Sequence, residues 1–502
     1  MNNTNINRDN SNLIIIEKKN EVYITVDCES DIQREISEFF TFYVPGYKFM
    51  PAFRTRMWDG KIRLFSQKTK EIYFGLYPYI KAFAEERGYN IVAGKDVEID
   101  NKVDRETVVK FSNSLGQKFE VRDYQIDAIY YSLKRNRTLL VSPTASGKSF
   151  IIYSLIRYYT HLIKDKPNNR TLLIVPTTSL VEQMYSDFES YGWNVKRYCH
   201  RLYSGYSNQT DKKVLISTWQ SLYKLPKQYF KQFGCVFGDE AHLFKSKSLT
   251  EIMTKLIDCT YRIGLTGTLD GAHTHKLVLE GLFGAVNKVT TTKKLMDKKQ
   301  LSNLAVRCLI LKHNEANCKM IASGKYQDEI DYLVSSKSRN NFIKNLTLKI
   351  KGNTLILFQL VEKHGKGLYE LIKNKSEKNR EVFFVYGGVD AEQRERVREI
   401  TERSNNAIIV ASYGTFSTGI NIRNLHNIIF ASPSKSRIRN LQSIGRGLRL
   451  GDNKVNATLY DIADDMQYKS KENFTLKHFQ ERINIYNEEE FDYELHNINL
   501  KD

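Results

Sequence analysis

From about residue 111 to 290, short apolar runs alternate with stretches whose apolar positions recur at helical spacing. The runs are TLLVSP, TLLIVP, VLISTW, CVFGDE and RIGLTGT, and each leads into a turn or a helical pattern. This alternation predicts parallel βαβ units with helices on both faces of a sheet. A basic connection, TTTKKLMDKKQLSN, leads into a second series: TLILFQ, EVFFVY, AIIVAS, NIIFAS and ATLYDI. Two successive α/β units of similar size predict a duplicated architecture, although no sequence repeats between them. Ahead of them, short β-type runs (VYITVD, KIRLF) mix with one amphipathic stretch (DIQREISEFFTFY). The end of the chain (LKHFQERINIYNEEEFDYEL) reads as helical. The expected organisation is an α+β domain over 1–110, α/β lobes over 111–295 and 296–465, and a short helical extension over 466–502.

Composition narrows the class. At 502 residues the chain exceeds one core, and 41% hydrophobic with 26% charged residues describes a soluble globular protein. No apolar run approaches bilayer-crossing length, and the polar start MNNTNINRDNSN lacks the apolar core of a signal peptide, so a cytoplasmic protein is expected. Six scattered cysteines, with no close pair at metal-ligand spacing, predict reduced, mostly buried thiols. The net charge of +19 favours a polyanionic partner, nucleic acid first, although a basic surface also confers solubility.

The candidate chemistry starts at SPTASGKS, residues 142–149, which follows a β-type run and opens a helix. It fits the phosphate-loop pattern except that Ser142 replaces the first Gly. In such a loop, backbone N–H groups and the helix N-terminus hold phosphates. Thr144, Ser146 and Gly147 fall in the cradle, Lys148 supplies charge to the terminal phosphates, and Ser149 supplies a hydroxyl for Mg²⁺. Further on, CVFGDEAH is an apolar strand ending in Asp239 and Glu240. Asp239 suits a Mg²⁺ ion opposite the loop hydroxyl, and Glu240 suits activation of an attacking water. Paired acids favour hydrolysis over transfer to another hydroxyl. Alone, DEAH would read equally well as an acidic helix start.

Together these stretches resemble the superfamily 2 helicases and translocases, whose loop commonly reads Pro-Thr-Gly-Ser-Gly-Lys-Thr; here Ala145 and Ser149 replace Gly and Thr. The resemblance implies two RecA-like lobes and ATP with Mg²⁺ as cofactors. RDYQIDAI resembles the family's adenine-reading segment, with Gln125 pairing to the base. VPTTSLVEQM and ISTWQSL resemble its strand-tracking loops, which implies phosphate contacts from Thr177 and Thr218, unless each only caps a helix. LTGTL matches the element that couples hydrolysis to strand contact through Thr266 and Thr268. In the second lobe, QSIGRGLR fits the closing motif Gln-x-x-Gly-Arg-x-x-Arg. It implies that Arg446 and Arg449 stabilise charge on the γ-phosphate. VASYGTFSTGINI resembles the motif contacting strand and nucleotide, implying roles for Thr415, Thr418 and Gly419. The family's usual Asp is replaced there by Asn421.

Within that superfamily, FRTRMWDGKIRLF, YQDEIDYLVSSKSRNNFIKNLTLKI and FDYELHNINL resemble the recombination and repair helicases of tailed bacteriophages. The implied activity is 3′ to 5′ translocation by a monomer on branched DNA: forks, Holliday junctions, D-loops and R-loops. In the first of those stretches, Arg54, Arg56, Lys61 and Arg63 are phosphate-contact candidates interleaved with aromatic rings. Trp58 reads as core of a small sheet, with Asp59-Gly60 as its hairpin turn. Rival readings are the motor subunit of a nuclease complex, an RNA-directed helicase, and a scaffold with a decayed ATPase.

Overall fold

The computed structural model describes residues 12–419, 422–450, 454 and 456–500. Two compact units result, one holding residues up to 142 with 147–289, the other holding 143–146 with the residues from 290 onward.

The first unit is built on a seven-stranded sheet. Its spatial order is Val286–Lys288, Arg137–Val141, Tyr261–Thr266, Phe233–Gly238, Arg170–Val175, Val214–Thr218, Cys199–Leu202, and every pairing is parallel. Strands Val214–Thr218, Phe233–Gly238 and Tyr261–Thr266 are buried at every position. Helices cover both faces, so these strands are apolar without alternation. Helix Lys148–Leu162 packs its buried Phe150, Ile151, Leu155 and Tyr159 into one of the layers.

The N-terminal part carries a second, mixed sheet ordered Glu71–Tyr73, Tyr23–Asp27, Leu13–Lys18, Asn90–Ala93, backed by helices Ser30–Phe39 and Tyr77–Arg87. This part shares a core with the seven-stranded sheet: one apolar cluster runs from Ile14, Ile36 and Phe83 into Leu139, Leu277 and Phe283. Backbones meet closely at the joint. A methyl on Gly75 would lie 1.9 Å from the Glu280 carbonyl oxygen, and one on Gly281 would lie 2.9 Å from Tyr73. Tyr79 Oη donates to Glu280 Oε2 (2.6 Å). Deeper in, Arg137 pairs with the Glu21 carboxylate, and Arg262 Nη1 donates to the Glu21 carbonyl (2.9 Å). Burial works to raise the Glu21 carboxyl, but Arg137 and Lys18 hold it below its ordinary value.

One expectation is corrected here. Asp59-Gly60 is not a hairpin turn: the two-stranded ribbon pairs Thr41–Tyr43 with Lys61–Arg63, and the whole segment 44–60 connects them. Gly60 (φ +81) lies so close to the Tyr47 ring that a methyl there would meet it at 2.3 Å. Trp58 is only half-buried, its indole N–H donating to the Lys61 carbonyl (2.8 Å). It props a loop and is not a core residue.

The second unit carries its own seven-stranded parallel sheet, ordered Val382–Val385, Ile408–Ser412, Thr354–Phe358, Asn427–Phe430, Asn456–Asp465, Asn303–Lys312, Tyr493–Asn499. The C-terminal helix is Phe474–Glu488, and the tail after it adds the edge strand. Buried ion pairs tie helices to this sheet. Arg339 Nε donates to both Asp464 oxygens (2.9 and 3.0 Å), and Arg482 Nε to both Asp461 oxygens (3.0 and 2.8 Å). Burial works against ionisation of Asp464, but Arg339 and His313 bring its carboxyl down to about 2. Among the described residues no helix is long and apolar enough to cross a membrane.

Candidate active site

Strand Arg137–Val141 runs into the loop 142–147, and Lys148 begins the helix Lys148–Leu162. Ser142 N–H donates to the Thr266 carbonyl (2.8 Å), which ties the loop to the adjacent strand end. Ser146, whose side chain is buried, donates from Oγ to the Pro143 carbonyl (2.6 Å), while Thr144 is half-buried. Gly147 has φ +82, and a methyl there would lie 2.3 Å from Gln125 Nε2. Gln125 is buried, and its Oε1 accepts from Arg122 N–H (3.1 Å). The proposed adenine reader thus rests against the phosphate loop.

Ala145 explains its departure from the family pattern. Its φ is +66°, the left-handed region that costs an L-residue about 1–2 kcal/mol. The usual glycine suits that backbone, and alanine is the smallest residue that tolerates it. Ala145→Gly is therefore expected to keep ATP hydrolysis within about twofold, whereas the β-branched Ala145→Val should strain the loop by more than ~1 kcal/mol and lower nucleotide affinity. Titration with a fluorescent ATP analogue measures the affinity of both variants, and phosphate release measures their hydrolysis. Equal affinities for the two variants would refute this backbone assignment.

Lys148 Nζ donates to the Ser142 carbonyl (3.3 Å), and Ser149 Oγ is 2.8 Å from Tyr191 Oη. Tyr191 lies 42 positions further on; no local pattern marks it, and it was not among the sequence candidates. Asp239 follows strand Phe233–Gly238, its N–H bonded to the Ile174 carbonyl (2.9 Å). Burial and the neighbouring Glu240 push the Asp239 carboxyl up to about 7, against the pull of Lys148. Its Oδ1 is buried without a hydrogen-bond partner among the described residues. A buried acceptor in a cluster of two carboxylates and one ammonium suits a small dication, so the donor set fits Mg²⁺.

Glu240 takes φ +49, which turns the chain sharply at the strand end. The Nδ1 of His242 lies 2.9 Å from Thr266 Oγ1 and 3.4 Å from a Glu240 carboxylate oxygen. The single proton on Thr266 Oγ1 goes to the Thr268 carbonyl (2.9 Å), so His242 Nδ1 donates to that hydroxyl and carries its own proton. DEAH and LTGTL are thereby joined by one hydrogen-bond chain. The Thr268 hydroxyl is buried without a partner among the described residues.

The strand-contact candidates separate. Thr177 caps helix Thr178–Ser190, accepting from Leu180 N–H (3.3 Å), and is half-buried. Thr218 is 4% exposed, with its hydroxyl 3.2 Å from Ser221 Oγ. Lys61 Nζ sits 5.0 Å over the Tyr43 ring, and Arg63 donates to Asp59 Oδ2 (2.5 Å). Arg54 and Arg56 are exposed. In the second unit, Arg446 is in the last turn of helix Arg437–Gly447, its guanidinium 5.7 Å above the Phe416 ring. Arg449 follows that helix and is half-buried. Thr415 is buried, its hydroxyl 2.8 Å from Ser412 Oγ. Gly419 ends helix Tyr413–Gly419. The Thr418 side chain and Asn421 lie outside the described residues.

Three family profiles match the chain: "DNA helicase UvsW, N-terminal" over residues 14–94, "Type III restriction enzyme, res subunit" over 118–271, and "Helicase conserved C-terminal domain" over 338–451. The ATP-dependent DNA helicase uvsW of Enterobacteria phage T4 is 34% identical over 95% of this chain and 98% of its own length. The crystal structure of T4 UvsW matches with a TM-score of 0.51 and 33% identity, covering 97% of this chain and all of that one. The DNA 3'-5' translocase XPB2 of Sulfurisphaera tokodaii is 23% identical over 67% of this chain and 80% of its own.

Proposed function

The chain belongs to the UvsW family of ATP-dependent DNA helicases, and from that premise we propose that it works on branched DNA in recombination and repair, moving 3′ to 5′. The observation carrying the hydrolytic half is the Asp239 carboxylate, buried beside Lys148 with one oxygen unpartnered at a strand end. ATP would lie on the loop Thr144–Ser149, with Gln125 against the adenine. Lys148 neutralises the terminal phosphates, and Glu240 takes the proton of the attacking water. Ser149 and Asp239 would hold Mg²⁺, which when bound offsets phosphate charge. Arg446 and Arg449 are assigned to the charge that develops on the γ-phosphate. Thr177, Thr218, Thr415 and Thr418 are assigned to the strand backbone, and Gly419 and Asn421 to the nucleotide.

The exposed Arg54 and Arg56 supply charge for a DNA backbone, on which a preference for branched DNA would be built. It is tested by steady-state ATP hydrolysis at one fixed salt concentration, with matched single strands, forks, four-way junctions and RNA. Salt is held constant because a protein of net charge +19 binds any polyanion at low salt. Greater stimulation by forks or junctions than by RNA or linear single strands is expected. Best stimulation by RNA would overturn the substrate assignment. The restriction-subunit profile over 118–271 favours one second reading, a motor serving a separate nuclease. Copurification of a nuclease subunit would decide for it.

A further inference from the structure

Helix Arg437–Gly447 carries Arg446 in its last turn, and Arg449 follows two residues beyond its end. A helix leaves its final carbonyls without partners of its own. Here three successive carbonyls at this end are taken by residues outside the helix. Lys454 Nζ donates to the Gly447 carbonyl and to the Arg449 carbonyl (3.0 Å). Between them, the Leu448 carbonyl accepts from Ser302 N–H (2.8 Å), and Ser302 Oγ lies 3.5 Å from the Arg449 carbonyl oxygen. The helix end also sits close against the sheet: a methyl on Gly447 would lie 2.3 Å from Ile428 Cδ1. The main chain that bears both arginines is thereby fixed.

Lys454 is 3% exposed, an unusual place for a lysine. An ammonium has three donors, and this one gives its third to the Arg423 carbonyl (3.2 Å). Burial brings the ammonium down to about 8, against the pull of the Glu402 carboxylate. Glu402 in turn accepts from Arg423 N–H (2.6 Å) and Asn424 N–H (3.3 Å). One buried cation thus joins the segment of Arg446 and Arg449 to the segment that follows Gly419 and Asn421. A surface lysine would answer the dipole of the helix end without leaving water. A buried ammonium held by carbonyls of two segments fixes, in addition, the distance between those segments.

Resting on the assignment of Arg446 and Arg449 to the γ-phosphate, we propose that Lys454 is a positioning residue for ATP hydrolysis. Its ammonium holds the main chain of the two arginines at a fixed place relative to the nucleotide segment at Arg423. It acts through the arginines and makes no contact of its own with ATP. Placement matters because a guanidinium displaced by about 1 Å from the charge it meets can cost about 100-fold in rate.

The test uses the full chain with saturating linear single-stranded DNA at one salt concentration. Lys454→Met keeps the volume of the side chain and removes all three donors. It should lower kcat about 10- to 100-fold while shifting KM for ATP less than about threefold, since the phosphate loop is untouched. Lys454→Gln retains two donors and should fall between that variant and the parent; it carries the test if the methionine variant does not fold. Affinity for ADP with aluminium fluoride, which mimics the transferring phosphoryl group, should drop in both, and affinity for ADP alone should stay within about twofold. In an Arg446→Ala/Arg449→Ala background, either Lys454 variant should cost less than about twofold more, because the residues it positions are gone. Losses that multiply in that background, or a kcat within about twofold of the parent in the Lys454 variants, would overturn the positioning role. If the arginine pair can be removed with the parental kcat retained, their assignment to the γ-phosphate fails first, and the role of Lys454 with it.

Discussion

Glu240→Gln is expected to lower the rate of ATP hydrolysis by two to four orders of magnitude, the range a positioned general base contributes. Glu240 directly follows Asp239 in a left-handed backbone turn, one carboxylate oxygen 3.4 Å from His242 Nδ1. Glutamine keeps that shape and its place beside His242 but cannot accept a proton. Nucleotide binding should therefore stay near that of the parent protein. Lys148→Ala is expected to lose hydrolysis by a different route, because the ammonium assigned to the terminal phosphates is gone, and nucleotide affinity should fall with it. Phosphate release under saturating ATP, paired with titration of a fluorescent ATP analogue, separates the two. DNA binding should persist in both. Hydrolysis within tenfold of the parent in Glu240→Gln would remove Glu240 from the water-activating role.

Glu21→Ala is expected to destabilise the first unit by about 3–5 kcal/mol, the usual result of removing one partner from a buried ion pair. Arg137 and Arg262 are both buried, and Arg137 Nε and Nη1 and Arg262 Nε already lack acceptors among the described residues. Burial and the charge of Arg137 bring the Arg262 guanidinium down to about 10. Removing the carboxylate leaves two cations in an apolar joint. The N-terminal sheet and the seven-stranded sheet meet there, so the loss should show as a new early transition in denaturant with faster proteolysis of the N-terminal part. Tyr79→Phe, which removes only the hydrogen bond to Glu280, should cost about 1–3 kcal/mol. Glu21→Ala/Arg137→Met should recover part of the loss, because methionine fills the space without charge. A loss below ~1 kcal/mol in Glu21→Ala would mean that water solvates this pair in the folded protein.

How much was legible in advance differs by element, for physical reasons. The central strands announced themselves, because a strand covered on both faces must be apolar throughout. TLLIVP, CVFGDE and AIIVAS could hardly be anything else. Asn303–Lys312 was harder to see. Its ten residues alternate in burial at the start and follow a run of lysines, so the connection read as a basic linker. The tail strand Tyr493–Asn499 sits at a sheet edge with mostly exposed side chains, and no apolar run marks it. Trp58 was misplaced for the opposite reason. A tryptophan beside Asp-Gly is a strong local hairpin signal, yet the strand partner of Lys61 is Tyr43, across the whole intervening loop.

The sequence by itself determined the helicase family and where its motifs fall: the loop Ser142–Ser149 between a strand and a helix, and the acids Asp239 and Glu240 at a strand end. Phosphate chemistry is performed by contiguous residues on a strand–loop–helix unit, so its pattern survives in one dimension. Only the tertiary structure decided that Tyr191 meets Ser149, that His242 links to Thr266, and that the N-terminal sheet shares a core with the first lobe through Glu21, Arg137 and Glu280. Each of these joins residues far apart along the chain. Such pairings follow from how the layers pack, and packing leaves no periodic trace in the sequence of either partner.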